Sequence, residues 1–551
     1  MKKLVVLLAI LLVAVFIISG CGEKTTPPVV TQPTQTTPAV PATTAAATSA
    51  APTTPAKPQP VYGGVFEMIT AAGPQALGYT PDMGPADASA VFPAVERLLD
   101  IAEGGKGLEG SLAESWKEDP EKLTITFNIR KGIKFSDGSE LNAEVVKWNY
   151  QMLVNAKRLQ LLPALKSIEI TDPYTVVMNL NHWTNQILPS WGWTAIFSKK
   201  AYDDVSGGDL EKYRAWAKTN VVGTGPFILK EFKKDSHITW VKNANYWRTG
   251  LPYLDGINVR YIPNTATAAT IFEAKQADQW TSPDPVSLQA LLAKGFKEQK
   301  SDWAGLVYSI VPNTTDEKSR WNNLKLRQAL AHAVDSSAIA KAIGKGLYIP
   351  LTYLPPVGQW GYDPKYPAPS YNPAKAKQLL AEAGYPNGLK VNLLILSDPL
   401  NQDIGVAIKS FLDAVGIETN LDVADPGRYN GLIYGTKPYE DLAFMMTGGT
   451  TDANYLITYS RWFSSDPFTN MAAFGHTPEQ IAMDKASTAL VDHAQQQEVM
   501  FKLMKWLNDE QRVIPLYLAP GVALIQPYVN STQYHQGFAR WRTELVWLAK
   551  K

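Results

Sequence analysis

The sequence predicts an α/β protein divided into two or three lobes, and two observations carry that prediction. Between Lys390 and Val423 the pattern reads strand, helix, strand. Lys390 to Leu396 is apolar and strand-like. Ile404, Ala407, Ile408, Phe411, Leu412 and Val415 form a helical stripe that stops at Gly416, and Ile417, Thr419, Leu421 and Val423 then alternate. That spacing is a βαβ unit, which places its strands parallel with a right-handed crossover. The second observation is size: the stretch from about Val61 to Lys551 is too long for one core and divides into domains.

The N-terminus sets the expected compartment. Lys2 and Lys3 precede an apolar run from Leu4 to Ile18, and small residues lead into Cys21. Charge, a short apolar core and a small-residue cleavage site are the layout of a secretory signal, expected here over residues 1–20. Cys21 is the only cysteine, so no internal disulfide can form. Residues 21–60 are rich in Thr, Pro and Ala and nearly free of large apolar side chains. Such a segment cannot bury enough surface to offset its ordering entropy, and it is expected to be an extended tether.

The body is legible in order. Leu123, Ile125, Phe127 and Ile129 alternate with polar residues as in a half-buried strand. Ser136-Asp137-Gly138-Ser139 is a turn, and Asn142 caps a helix whose apolar face is read as Val145, Trp148 and Met152. Ile168 to Ile170 and Val176 to Leu180 flank a turn at Asp172-Pro173 and predict a hairpin. Gly223-Thr224-Gly225-Pro226 lacks the Lys-Ser/Thr ending of a phosphate loop, and its proline removes an amide donor, so it reads as a tight turn before a strand. Phe227 to Phe232 and His237 to Lys242 read as paired strands, Gly256 to Ile262 as another, and Thr267 to Lys275 as a short helix. Leu326, Leu330, Ala333 and Val334 share a helical face, and Asn372, Pro373 and Gly384 bracket a further helix.

Composition narrows the function. The formal net charge of +1 gives no electrostatic footprint for nucleic acid. No Gly-x-Ser-x-Gly elbow and no His-Glu-x-x-His helix occurs, and the six histidines are scattered, so neither a catalytic nucleophile nor a metal site is expected. Two α/β lobes bind ligands in the crevice at their strand ends.

Four segments in order resemble the solute-binding proteins of ABC importers, the branch (family 5) that binds dipeptides, oligopeptides and nickel. They are Leu112–Trp116 with Leu123–Leu141, Gly223–Phe227 with Asn243–Trp247, Leu326–Asp335, and Tyr371–Ala376 through Leu380–Pro386. The segment Ile18-Ser19-Gly20-Cys21 resembles the bacterial lipobox, which implies cleavage before Cys21 and its acylation. Two or more acyl chains anchor stably. The resemblance implies a three-lobed periplasmic-binding-protein fold of type II, with two lobes closing over a ligand cleft. The N-terminal lobe would comprise 61–92, 220–310 and 520–551, the accessory lobe 93–219, and the C-terminal ligand-closing lobe 311–519, with the hinge near Val311 and Leu518. It further implies no catalysis, no cofactor, a monomer, and as partners a permease with its ATPase subunits.

Peptide-binding relatives hold the ligand's α-amine with an aspartate after a short strand. Leu442 to Met446 is that strand by pattern, and Asp452 is the matching carboxylate, with backbone groups near Gly448 and Thr450 pairing with an extended ligand. The same aspartate is also placed to cap a helix beginning at Ala453. Trp280, Tyr517 and Met83 are further pocket candidates, with core packing as the alternative for each. Gly448-Gly449 stands where the family has an aromatic residue before the aspartate, and Ala453 to Leu456 replaces the expected aromatic-acidic-proline run. An oligosaccharide or a nickel chelate is therefore the alternative ligand. An exported lipoprotein hydrolase and a sensor module of the same fold are the alternative functions.

The anchor has a direct test. Cys21→Ser is expected to release the protein from sedimented membranes into the soluble fraction, and continued co-sedimentation on immunoblots argues against acylation.

Overall fold

In a computed structural model the described residues are 59–102, 107–435, 437–449, 455–465, 471–530 and 541–549. Cys21, the signal and nearly all of the tether lie outside them, as do Thr450 and Asp452. No helix among the described residues is long and apolar enough to cross a membrane.

In chain order, the first strand is β1 (Val65–Thr70). A small antiparallel layer follows: β2 (Ala113–Asp119), β3 (Thr124–Ile129), helix α1 (Ala143–Asn155), β4 (Leu165–Asp172) and β5 (Thr175–Leu180), ordered β2-β3-β5-β4. Next come β6 (Phe227–Lys233), β7 (His237–Lys242), β8 (Gly256–Tyr261), β9 (Gln279–Thr281) and the long β10 (Lys297–Pro312). The remainder alternates: α2 (Leu324–Ala333), α3 (Pro373–Glu382), β11 (Leu389–Leu396), α4 (Pro399–Ala414), β12 (Ile417–Ala424), α5 (Pro426–Tyr434), β13 (Leu442–Gly449), α6 (Tyr455–Trp462), α7 (Pro478–Thr488) and the long β14 (Ile514–Ile525).

One eleven-stranded sheet runs β12-β11-β13-β10-β14-β9-β1-β8-β7-β6, with the short strand Ile349–Pro350 pairing beside β14. β1 is parallel to β8 and β9, and β11 is parallel to β12 and β13. Between these parallel sets run β10 and β14, antiparallel to one another. The expected βαβ unit is present, in register from Leu389↔Ile417 to Leu396↔Ala424. Its helix buries Ile404, Ile408 and Leu412, and Gly416 has φ +93°. A Cβ on Gly388 would sit 2.2 Å from the Gly416 carbonyl, so this strand pair starts with two backbones in contact.

Each half of the sheet carries apolar side chains on both faces. Phe66, Met68, Ile257 and Val259 pack on one face of the first half, and Ile69, Phe272, Trp280 and Leu524 on the other. Leu326, Leu330, Ile395 and Ile408 fill one face of the second half, with Met445, Trp462, Phe463 and Leu503 in the opposite cluster. Every such side chain removed from water contributes roughly 1.5–3 kcal/mol before entropy is counted.

The helix face read from the sequence differs in α1. Asn142 caps it as expected, accepting from Val145 N at 3.1 Å. Its buried stripe is Val145, Val146, Asn149, Tyr150 and Leu153, whereas Trp148 and Met152 are half-buried against Tyr202, Tyr213 and their neighbours. A polar residue tolerates this core because its amide is satisfied. Asn149 donates to Val145 O and Phe197 O at 2.9 Å and accepts from Phe197 N at 3.0 Å.

The Gly223–Phe227 turn has a packing cause. Cβ atoms on Gly223 and Gly225 would lie 2.1 Å from Ala94 O and 2.6 Å from Ala94 C. Gly225 N and Phe227 N instead bond Ala94 O and Pro93 O at 2.9 and 2.8 Å. This apposition seats Glu96 among three donors: Thr224 Oγ1 at 2.8 Å, Tyr246 OH at 2.9 Å and Trp247 Nε1 at 2.7 Å. Arg248 stands 4.0 Å away. Burial outweighs the stabilising influence of Arg248 and the three donors and pushes the Glu96 carboxyl up to about 7.

A second junction joins the antiparallel layer to the far half of the sheet. Asn185, just after β5, donates from its backbone to Thr488 O at 2.9 Å and from Nδ2 to Ser487 O at 2.8 Å and Leu490 O at 3.0 Å. It thereby adds donors to carbonyls at and just past the C-terminus of α7. The buried Gln186 amide donates to Ser460 Oγ on α6.

Glu96 yields a pH prediction. A carboxyl raised in the folded state binds its proton more tightly there than in the unfolded chain. Its stabilisation is therefore complete below the ordinary carboxylate range and is lost as pH rises through about 7. Wild type is expected to lose up to about 3 kcal/mol of unfolding free energy between pH 4.5 and 8 relative to Glu96→Gln, measured by denaturant titration at each pH. Parallel curves for the two proteins reject the assignment.

Candidate functional site

The parallel strands of both halves end at helix N-termini or loops, the places where open α/β sheets collect ligands. In the first half β1 ends at Thr70 and runs into Ala71–Pro74, β8 ends at Tyr261, and β9 leads through Ser282 to Asp284. Asp284 caps the helix Pro285–Ala293, its Oδ1 accepting from Val286 N at 3.1 Å and Ser287 N at 3.0 Å. In the second half Asp398 and Asp425 follow β11 and β12 and cap α4 and α5 in the same way. β13 ends at Gly448-Gly449. The capping carboxylates fix the strand-to-helix turns, so the rims are built on rigid elements.

A cavity of about 230 Å³ opens at the strand ends of the first half. Met68, Ile238, Val259 and Phe92 make its apolar wall, with Tyr261 and Gln279 on the sheet and Trp541 from the C-terminal segment. Ala72–Pro74 and Thr281 lie at its edge. Gly73 lies flat on the Tyr261 ring, where a Cβ would come within 2.3 Å of the ring carbons. Three buried atoms of this lining, Tyr261 OH, Gln279 Oε1 and Trp541 Nε1, have no hydrogen-bond partner among the described residues. Burial pushes the Tyr261 phenol well above its ordinary pKa, so it stays a neutral O–H group. Buried polar groups are ordinarily paired, so these three atoms make the cavity a candidate for ligand contact.

The second half presents aromatic rings near its rim. Tyr308 stacks on Phe444 at 5.7 Å and on Tyr517 at 5.2 Å, and Tyr517 stacks on Tyr348 at 4.9 Å. Burial raises the pKa of all three tyrosines, so they too are neutral.

The residues expected from sequence fall in different surroundings. Trp280 is 3% exposed and packs with Phe272 and Leu288 on the face of the sheet away from the cavity, while its neighbours Gln279 and Thr281 line it. Tyr517 is 1% exposed, in the middle of the ring stack. Met83 closes the turn Thr80–Asp82, donating its N–H to Thr80 O at 3.0 Å, and packs half-buried against the first-half core. Gly448 pairs with Val307 in the sheet. Thr450 and Asp452 lie outside the described residues, and so does the start of the helix that Asp452 was expected to cap. Sequence reasoning missed Tyr261, Gln279 and Trp541. The strand Gly256–Ile262 was legible, but period-two alternation does not say which face meets a cavity.

The family model described as bacterial extracellular solute-binding proteins, family 5, middle region, matches residues 107–477. Haem-binding protein A of Haemophilus influenzae is 27% identical over 501 residues, covering 84% of this chain and 89% of that protein. Glutathione-binding protein GsiB of Salmonella choleraesuis is 28% identical over 405 residues, covering 71% and 76%. The periplasmic binding protein DppA of Helicobacter pylori, solved with the peptide STSA, superposes with a TM-score of 0.75 at 26% identity, covering 89% of this chain and 99% of that one. With its mixed α/β periplasmic-binding-protein fold and the family match over most of its length, the chain belongs to family 5 of the bacterial extracellular solute-binding proteins, non-enzymatic ligand carriers of ABC importers.

Proposed function

We propose that this solute-binding protein captures a short peptide and delivers it to an ABC permease from a lipid anchor at Cys21. The observation that carries the peptide reading is the neutral cavity with its three orphaned hydrogen-bonding atoms, set where the parallel strands end. Two relatives support it: DppA was solved with a tetrapeptide, and GsiB is named for glutathione, itself a tripeptide. In this reading Asp452 holds the ligand's ammonium group, and backbone groups at Gly448 and Thr450 pair with its main chain. Side chains then enter pockets such as the cavity. The name of haem-binding protein A favours a second reading, haem, which the same binding experiment separates.

Capture works by closure, because a ligand that touches both halves stabilises the arrangement in which they meet. Residues 61–92, 220–310 and 520–551 form the first lobe, 93–219 the accessory lobe and 311–519 the closing lobe. The sheet pairing supports a hinge where β10 and β14 lose register, between Lys300 and Gly305 opposite Val522 and Pro520. A second register shift, between Tyr308 and Ser309 opposite Tyr517 and Pro515, lies close to the expected crossings at Val311 and Leu518. Gly305 belongs to the first shift because a Cβ there would lie 2.5 Å from Ala519 O. The bonds from Asn185 and Gln186 to the closing lobe act as a latch that opening must break.

Two outcomes are expected. Asp452→Ala weakens binding of tri-alanine by at least about tenfold in calorimetry and leaves the binding of N-acetylated tri-alanine unchanged. Equal affinity of wild type and variant for tri-alanine removes Asp452 from the site, and binding of haemin with no response to any peptide replaces the peptide reading. Asn185→Ala, which deletes two side-chain bonds, lowers tri-alanine affinity about five- to tenfold and shifts the ligand-free scattering profile toward a larger radius of gyration. An unaltered profile and affinity dismiss the latch.

A further inference from the structure

The cavity's lining specifies more than its place. Its walls are apolar, and among the described residues no charged side chain lines it. A charged group entering it would lose its hydration without compensation. Its volume of about 230 Å³ exceeds the ~150 Å³ in which an engineered apolar cavity holds benzene, so a phenol or an indole ring fits. Tyr261 and Gln279 are 6% and 1% exposed, and no described residue pairs their orphaned atoms. The orphans are of complementary kinds: Gln279 Oε1 accepts, Trp541 Nε1 donates, and Tyr261 OH does either. Gln279 is held in one orientation because its Nε2 donates to Thr281 Oγ1 at 3.2 Å, which leaves Oε1 as the unsatisfied end. Gly73 keeps the Tyr261 ring uncovered by any side chain of its own.

We infer that this cavity is a side-chain pocket that selects a neutral aromatic group with a hydrogen-bonding atom, a tyrosine phenol or a tryptophan indole, over small or charged side chains. The inference rests on the peptide reading above and adds the class of residue the peptide carries. A phenol donates to Gln279 Oε1 and accepts from Trp541 Nε1 or Tyr261 OH. An indole N–H satisfies the acceptor alone. Phenylalanine fills the volume but leaves every orphan unpaired, and sites built to bond a hydroxyl discriminate strongly against the analogue without one.

The test is calorimetry on the full chain in detergent, with tyrosine, tryptophan, phenylalanine, alanine or glutamate placed in turn at each position of tri-alanine. At one position, tyrosine and tryptophan are expected to bind at least about tenfold tighter than alanine and glutamate, and tyrosine about tenfold tighter than phenylalanine. Gln279→Leu and Tyr261→Phe, checked for folding by thermal melts, are expected to reduce the tyrosine-to-phenylalanine ratio to below about twofold. Equal affinity for all side chains at all positions overturns the pocket and leaves peptide capture standing. If no tripeptide binds, the peptide reading falls and a crystal soaked with p-cresol decides the pocket by itself. Density for p-cresol against Tyr261 and Gln279 upholds the selectivity for a phenol on a non-peptide solute, and its absence there overturns it.

Discussion

β10 and β14 run antiparallel through the middle of the sheet, β14 pairing with β9 of one parallel set and β10 with β13 of the other. At one end β14 lies between β9 and β10, and at the other β10 lies between β13 and β14. Backbone hydrogen bonds therefore continue across the junction while the side-chain cores on either side remain separate. A body with two cores joined by a narrow ribbon can bend where the ribbon's register is irregular without disturbing either core. The parallel strands on both flanks direct their carboxyl ends to loops and helix N-termini, so the ribbon also determines which loops can form a site.

The accessory layer is tied in from two directions. On one side the backbone of Pro93–Val95 lies directly on the Gly223–Gly225 turn, and Glu96 gathers donors from Thr224, Tyr246 and Trp247 around it. A buried carboxylate left without these donors would be costly, so the cluster requires all of its members together. On the other side Asn185 adds side-chain donors to the carbonyls at the C-terminus of α7. The two joints differ in kind. The first buries a titratable group among aromatic side chains, and the second consists of amide-to-carbonyl bonds of modest net strength, which can form and break.

In the proposed peptide reading, holding and selecting are separate tasks. Main-chain pairing accepts any extended peptide, so discrimination has to come from pockets that exclude water and present few polar atoms. Here the polar atoms are supplied by strand residues locked in the sheet and by one tryptophan of the C-terminal segment. They are therefore preorganised, so the proposed ligand would meet them without having to order them.

Much of the fold was legible in the amino-acid order because it depends on local rules. Asn142, Asn372 and Pro373 cap or start the helices they were read to start, and the alternation after Gly416 is a strand paired with Leu389–Leu396. Motif order also announced the family. Less of the site was legible, because a cavity is made by residues that are distant in the chain. Trp280 was named as a pocket candidate, yet the sheet turns it into the core and turns Gln279 and Thr281 toward the cavity. Tyr261, Gln279 and Trp541 share no sequence neighbourhood. The sequence alone determined the secondary elements, the family and the absence of charge favouring nucleic acid, because propensity, capping and periodicity act within a few residues. Only the tertiary structure decided which face of each strand meets the cavity and which polar atoms lack partners, because both depend on what the rest of the chain packs against them.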